Sequence, residues 1–221
     1  MKAVYEILAL IIILTTLFLV SCNKTEVEYA NFPDPQTCPG IPEVDYGGII
    51  YPTVKIGEQC WLAKSLNIGT MIPHDAHATD NNIIEKHCYN DDTANCSANG
   101  GYYQWDELMQ YTKNEGTQGI CPQGWHIPTN KELAKLFIYI GCNQSYISEG
   151  GKNSTGMNLL RSGIVGSFGS AFWEKRGYYW TSKELSDSES LNFLIGVYAY
   201  DLTTNPIHKK NACSVRCIKD E

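Results

Sequence analysis

The chain carries five histidines and nine cysteines, the side chains that supply bases, nucleophiles and metal ligands. His126 stands in Gly124-Trp125-His126-Ile127-Pro128-Thr129. An imidazole serving as general base needs a nucleophile on one nitrogen and an orienting carboxylate on the other. No motif beside His126 supplies either. Its expected role is packing at the start of a helix, a ring nitrogen bonding backbone. His74-Asp75-Ala76-His77, with Asp80 and His87 beyond, offers metal donors at loose spacing in a stretch polar enough to need no metal. Cys213-Ser214-Val215-Arg216-Cys217 lacks the second close pair of a zinc site. These residues predict no metal, no cofactor and no catalytic residue.

Aromatic rings are the other chemistry on offer, and Trp173, Tyr178, Tyr179 and Trp180 form the densest patch. Strand alternation places Tyr178 and Trp180 on one face and Tyr179 on the other. Half of such a set belongs in a core, and the rest is free to stack on sugar rings or a partner protein. Trp173, Tyr178 and Tyr179 are therefore the candidate ligand-binding residues.

Several elements must position these groups. Thr129-Asn130-Lys131-Glu132 is a capping-box pattern, Leu133, Leu136, Phe137 and Ile140 form an apolar stripe, and Gly141 ends the helix. A shorter helix is expected between Tyr102 and Tyr111. Residues 49–56 and 59–63 read as a β-hairpin turning at Gly57-Glu58, with Pro52 suggesting an edge or an irregularity. Further strands are expected near Tyr178–Ser182, Phe193–Tyr200 and Cys213–Ile218, and residues 67–100 read as a polar loop. Few helices among several short antiparallel strands make an α+β domain.

The chain has 221 residues and a net charge of −7, which argues against a nucleic-acid partner bound through a basic surface. Its 43% hydrophobic and 19% charged content excludes a disordered chain. Residues 7–20 are uncharged, too short for a comfortable membrane span and suited to a signal peptide. Leu19-Val20-Ser21-Cys22 follows with the form of a lipobox, predicting acylation of Cys22 and anchoring to a membrane through that lipid. The expected organisation is a signal at 1–21, a proline-rich tether at 22–46 and one domain at 47–221. The localisation expected is the cell envelope, as an outer-membrane lipoprotein. Eight cysteines remain, an even number that reads as four disulfides in an exported chain. Proximity and the turn-forming residues between them favour Cys88 with Cys96.

Three segments carry a resemblance. They are Tyr51-Pro-Thr-Val-Lys-Ile-Gly-Glu-Gln-Cys-Trp-Leu-Ala-Lys-Ser-Leu-Asn67, Gly119-Ile-Cys-Pro-Gln-Gly-Trp-His-Ile-Pro-Thr129 and Ser214-Val-Arg-Cys-Ile-Lys-Asp220. Residues 89–96 and 100–105 also fit. Together, over about residues 38–220, the chain resembles the Fibrobacter succinogenes major paralogous domain, common in exported bacterial lipoproteins. Gly150–Trp173 departs from the pattern by its shortness, and Cys142 and Cys213 are outside it.

The resemblance implies a C-type lectin-like fold, distantly related to formylglycine-generating enzymes, and no assigned catalysis. It implies a staple between the helix region and the last strand, Cys121 with Cys217. Cys38 with Cys60 and Cys142 with Cys213 would then complete the set. A calcium-dependent sugar site is not expected, since Asn205-Pro206 is only a faint echo of one. Asp92-Thr93-Ala94 is similar to a short O-glycosylation signal. The expected function is a surface lipoprotein binding a glycan or protein ligand without catalysis. The alternatives are an oxidase-like enzyme using cysteine and copper, through Cys213 and Cys217, and a purely structural envelope component.

Overall fold

The computed structural model describes residues 32–221. The signal, Cys22 and the tether up to residue 31 lie outside the described residues. The domain is α+β, with short helices set among antiparallel sheets. A five-stranded sheet runs in the order β1 (Glu43–Tyr46), β2 (Ile49–Ile56), β3 (Gln59–Leu62), β14 (Ile218–Lys219), β7 (Trp125–His126). A parallel pair, β4 (Thr70–Met71) and β5 (Glu85–Lys86), lies in the stretch expected as loop. The second large sheet runs β6 (Tyr103–Gln104), β13 (Ala212–Cys213), β8 (Ile164–Gly166), β9 (Gly169–Ala171). The third is the meander β10 (Gly177–Glu184), β11 (Glu189–Ile195), β12 (Leu202–His208).

The expected boundary at residue 47 falls inside a hairpin. Gly47 and Gly48 both take positive φ, 62° and 75°, the two-residue turn that a right-twisted hairpin favours. Upstream, Lys55 N–H donates to Gln36 O at 2.8 Å and Thr53 N–H to Pro42 O at 3.0 Å. Residues 36–46 thus belong to the domain, because their backbone groups complete the outer edge of the first sheet. Pro52 sits on the internal strand β2 rather than at an edge. It is tolerated because the β1 ladder ends opposite it, at Glu43, while its carbonyl still accepts from Ala63 N–H at 2.8 Å.

Helix α1 (Thr93–Asn99) also corrects the loop reading of residues 67–100. Asp92 caps it, its carboxylate accepting from Ala94 N–H at 2.8 Å. The helix expected over 102–111 shrinks to α2 (Trp105–Leu108), because Tyr103 and Gln104 pair with β13 and Gln110 and Tyr111 turn left-handed. Helix α3 (Asn130–Tyr139) forms as its capping box predicts, with Thr129 and Glu132 exchanging hydrogen bonds. Leu133, Leu136, Phe137 and Ile140 are all fully buried, each burial contributing about 1.5–3 kcal/mol. Phe137 meets Phe193 edge-on at 6.2 Å, and Phe193 stacks on Tyr179 at 4.9 Å.

Strand β10 divides the two main apolar clusters. Tyr178 and Trp180 face the one built around Trp105, while Tyr179 faces the one under α3. The expected strand at 193–200 ends at Ile195; a tight turn follows, and β12 returns as an edge strand with Pro206 in it. The expected strand at 213–218 is broken. Ala212–Cys213 pairs in one sheet and Ile218–Lys219 in another, with Ser214 bridging to Tyr179 between them.

Bridges join Cys38–Cys60, Cys88–Cys96 and Cys121–Cys217. Cys213 is instead a buried free thiol, so the expected Cys142–Cys213 bond is absent. The two sulfurs belong to different clusters: Cys213 is held in the one around Trp105, Cys142 against the one under α3.

Candidate functional site

Strand β7 lies beside β14, with His126 opposite Ile218 in the register. That pairing brings Asp220 from the chain's end against the imidazole, and the capping box brings Glu132. His126 Nδ1 lies 2.7 Å from Asp220 Oδ1, and Nε2 lies 2.9 Å from Glu132 Oε1. Glu132 Oε2 accepts from Thr129 N–H at 2.8 Å and from Thr129 Oγ1 at 2.7 Å. The backbone partner expected for His126 is thus replaced by two carboxylates. Carboxylates only accept, so the arrangement calls for a ring protonated on both nitrogens. Burial opposes that charge, but the hydrogen bonds to Glu132 and Asp220 outweigh it and hold the His126 pKa above its usual value. Burial also opposes ionisation of Glu132, and His126 and Thr129 overcome it, leaving its pKa lowered.

The arrangement has a signed pH dependence. The charged His126 adds stability that is complete below the ring's ordinary value and is lost as pH rises through the elevated native one. The ionised Glu132 adds stability above the ordinary carboxylate value, lost as pH falls through its depressed native one. Between the two, we expect His126→Gln to be about 1.5–3 kcal/mol less stable than the native protein. The gap narrows toward alkaline pH. Denaturant midpoints at about pH 6 and about pH 9 check this, and a gap that widens toward pH 9 would contradict the clamp. A groove of about 730 Å³ lies alongside, lined by Glu132, Asp220, Lys135, Ile138 and Tyr139. With both ring nitrogens committed to carboxylates, His126 has none left to serve as a base there. It ties the cap of α3 to the terminal strand.

The loop histidines are separately engaged. His74 Nδ1 pairs with Asp91 Oδ2 at 2.6 Å, Gln104 Nε2 meets His77 Nδ1 at 2.9 Å, and buried His87 bonds Pro73 O through Nδ1 at 3.1 Å. Asp80 is exposed. Among the described residues no three His, Cys, Asp or Glu side chains come together as metal ligands would. Asp92 is occupied as a helix cap, with Thr93 exposed beside it.

Cys213 and Cys217 do not form a reactive pair. Cys217 is bonded to Cys121, and burial pushes the Cys213 thiol well above its ordinary pKa. A nucleophilic cysteine needs the reverse, an accessible site that favours the thiolate.

Of the expected binding aromatics, Tyr179 is entirely buried, its hydroxyl donating to Leu160 O at 2.9 Å. Trp180 is buried too, with Nε1 donating to Tyr103 O at 2.7 Å. Trp173 is half-buried against Tyr89, ring centres 4.5 Å apart. Trp173 also lines a groove of about 530 Å³ with Arg161, Glu149 and Glu174, while Tyr178 reaches one of about 490 Å³ between the β8–β9 hairpin and the end of β12. Phe168 at the hairpin tip is fully exposed, and Phe172 is 46% exposed with its ring 5.9 Å from Tyr178. Ile207, His208, Lys210 and Asn211 form the opposite wall. Phe172 holds a φ of 63°, an uncommon conformation for a bulky residue, and Arg176 covers its ring at 5.3 Å. Sequence reasoning missed Phe168, Phe172 and His208. One signal was present: Gly166-Ser167-Phe168-Gly169 puts a large apolar residue in a two-residue turn, where small polar residues normally sit.

The family model described as the Fibrobacter succinogenes major domain matches residues 54–219. The chain belongs to this family. The match to the Fibrobacter succinogenes major domain runs from β2 to β14 and takes in His126, Glu132 and the aromatic groove, with Asp220 one residue beyond it. The comparison with curated proteins gave no match, nor did that with solved structures.

Proposed function

We propose that this Fibrobacter succinogenes major domain is a non-catalytic binding module, anchored at the outer membrane, that takes a glycan in the Phe168–Phe172–Tyr178 groove. The observation that carries the reading is the exposure of Phe168 together with a partly open Phe172. Phe168 on the hairpin tip and Phe172 just past β9, beside the Tyr178 ring at the groove floor, form an apolar patch of the kind that marks an interaction site. Sugar rings present flat C–H faces for such rings and hydroxyls for the polar rim at His208 and Asn211. A C-type lectin-like arrangement is supported by the return of β14 between β3 and β7 and by the Cys121–Cys217 staple.

Glycan-array binding tests the reading. The native protein should retain specific glycans, and Phe168→Ala/Phe172→Ala should bind them at least about 30-fold more weakly, the loss typical of a binding hot spot. Both side chains are open to solvent, so the melting temperature should stay near native. A silent array, or a double variant that binds like the native chain, would refute the reading.

Anchoring is proposed through lipid on Cys22, supported by the lipobox at residues 19–22. Cys22→Ser should move the protein out of the membrane fraction or leave it as the precursor. A mature N-terminus at any residue other than Cys22, read by mass spectrometry, would overturn it.

A further inference from the structure

We infer that the groove's ligand is an acidic sugar, a uronic-acid-bearing oligosaccharide whose ring lies on Phe168 and Phe172 and whose carboxylate meets Lys210 and Arg176. This rests on the glycan reading above and deepens it. The chain as a whole is acidic, with 24 Asp and Glu against 17 Lys and Arg. The groove reverses that balance: its basic lining residues are His208 and Lys210, and no Asp or Glu lines it. Arg176 adds a second cationic group beside Lys210's, held over the ring of Phe172 at the groove's edge.

These groups sit on a rigid support. Asn211 N–H donates to His208 O at 2.9 Å and Asn211 Nδ2 to the same oxygen at 3.2 Å, closing a tight turn. Lys210 N–H donates to His208 Nδ1 at 3.2 Å, which places the proton of a neutral ring on Nε2 as a donor. Lys210 O accepts from Gln104 Nε2 at 2.8 Å, pinning the turn to β6. A ligand therefore meets cationic and donor groups whose backbone is already ordered, which lowers the entropic cost of binding. A volume of about 490 Å³ falls in the range of small-ligand sites. Neutral sugars would use the rings and leave the cations unmatched; a uronate uses both.

Calorimetric titration with trigalacturonate and with its methyl ester separates the two ideas. The acid should bind about tenfold more tightly than the ester at low salt, with the preference collapsing in about 0.5 M sodium chloride, as screened exposed charges require. Lys210→Glu, at an exposed position, should abolish the preference for the acid over the ester; a preference that persists in this variant overturns the inference. Equal affinity for acid and ester, or an array on which neutral glycans bind as well as acidic ones, overturns the inference and leaves the glycan reading standing. Absence of binding to every sugar on the array overturns both.

Discussion

Removing the Cys121–Cys217 bridge, as Cys121→Ala/Cys217→Ala, should destabilise the domain by about 4–5 kcal/mol in the chain-entropy account. The bridge spans 96 residues, from the turn before β7 to the residue before β14. Without it the unfolded ensemble gains the freedom of nearly half the chain. Both sulfurs are fully buried in the larger core cluster, so truncation adds a packing loss to the entropic one. The Cys88–Cys96 bridge makes the internal control. It spans eight residues around α1, and Cys88→Ala/Cys96→Ala should cost about 2–3 kcal/mol by the same relation. Denaturant midpoints under oxidising conditions read the difference. Equal midpoints for the two double variants would show that loop length does not set the ranking.

Arg216 should be nearly as costly to lose. Its guanidinium is entirely buried, and burial lowers its pKa from the ordinary arginine value. It donates through Nη1 to Leu62 O at 3.1 Å and Met157 O at 3.0 Å, and through Nη2 to Asn158 O at 2.7 Å. One planar group thereby ties β3 to the segment at 157–158, which belongs to no regular ladder and is followed by Leu159, in an isolated bridge to Ser148. Arg216→Met fills much of the same space and removes the cost of burying a charge, but leaves three carbonyls without their donor. An orphaned buried carbonyl costs about 1–3 kcal/mol, so a net loss of about 3–5 kcal/mol is expected once the relief of desolvation is set against it. Arg216→Lys keeps the charge but lacks the fork that reaches two strands of chain at once, and should fall between. Hydrogen exchange should show protection lost around residues 157–160 before the rest of the domain. A Met variant as stable as the native protein would mean the carbonyls find other partners.

Local signals in this chain were legible because local physics decides them. Helix α3 needs only its own cap and stripe, since Thr129 and Glu132 satisfy the helix start without help from elsewhere. The hairpin at residues 49–62 needs only its turn and β-branched strands. The face assignment of Tyr178, Tyr179 and Trp180 followed from alternation alone. Proximity alone indicated Cys88 with Cys96. Family membership, too, could be read from short strings of residues, and the matching family model agrees.

What depended on distant segments could not be read. His126 looked unaccompanied because its second carboxylate is Asp220, 94 residues away and brought in by the pairing of β7 with β14. Cys142 looked like the partner of Cys213 by elimination, yet the two sulfurs belong to clusters on opposite sides of β10. Which aromatic residues bury and which stay open is a question of what covers them. Tyr179 is covered by α3 and Phe193, while Phe168, between Ser167 and Gly169 on a hairpin tip, is fully exposed. The candidate groove is assembled from residues 164–178 and 207–211, which are brought together when β13 pairs with β8 and β10, β11 and β12 form their meander. The amino-acid sequence by itself determined the helix, the hairpin and the family. The tertiary structure decided the site, because a site is a set of distances between residues that the chain order keeps apart.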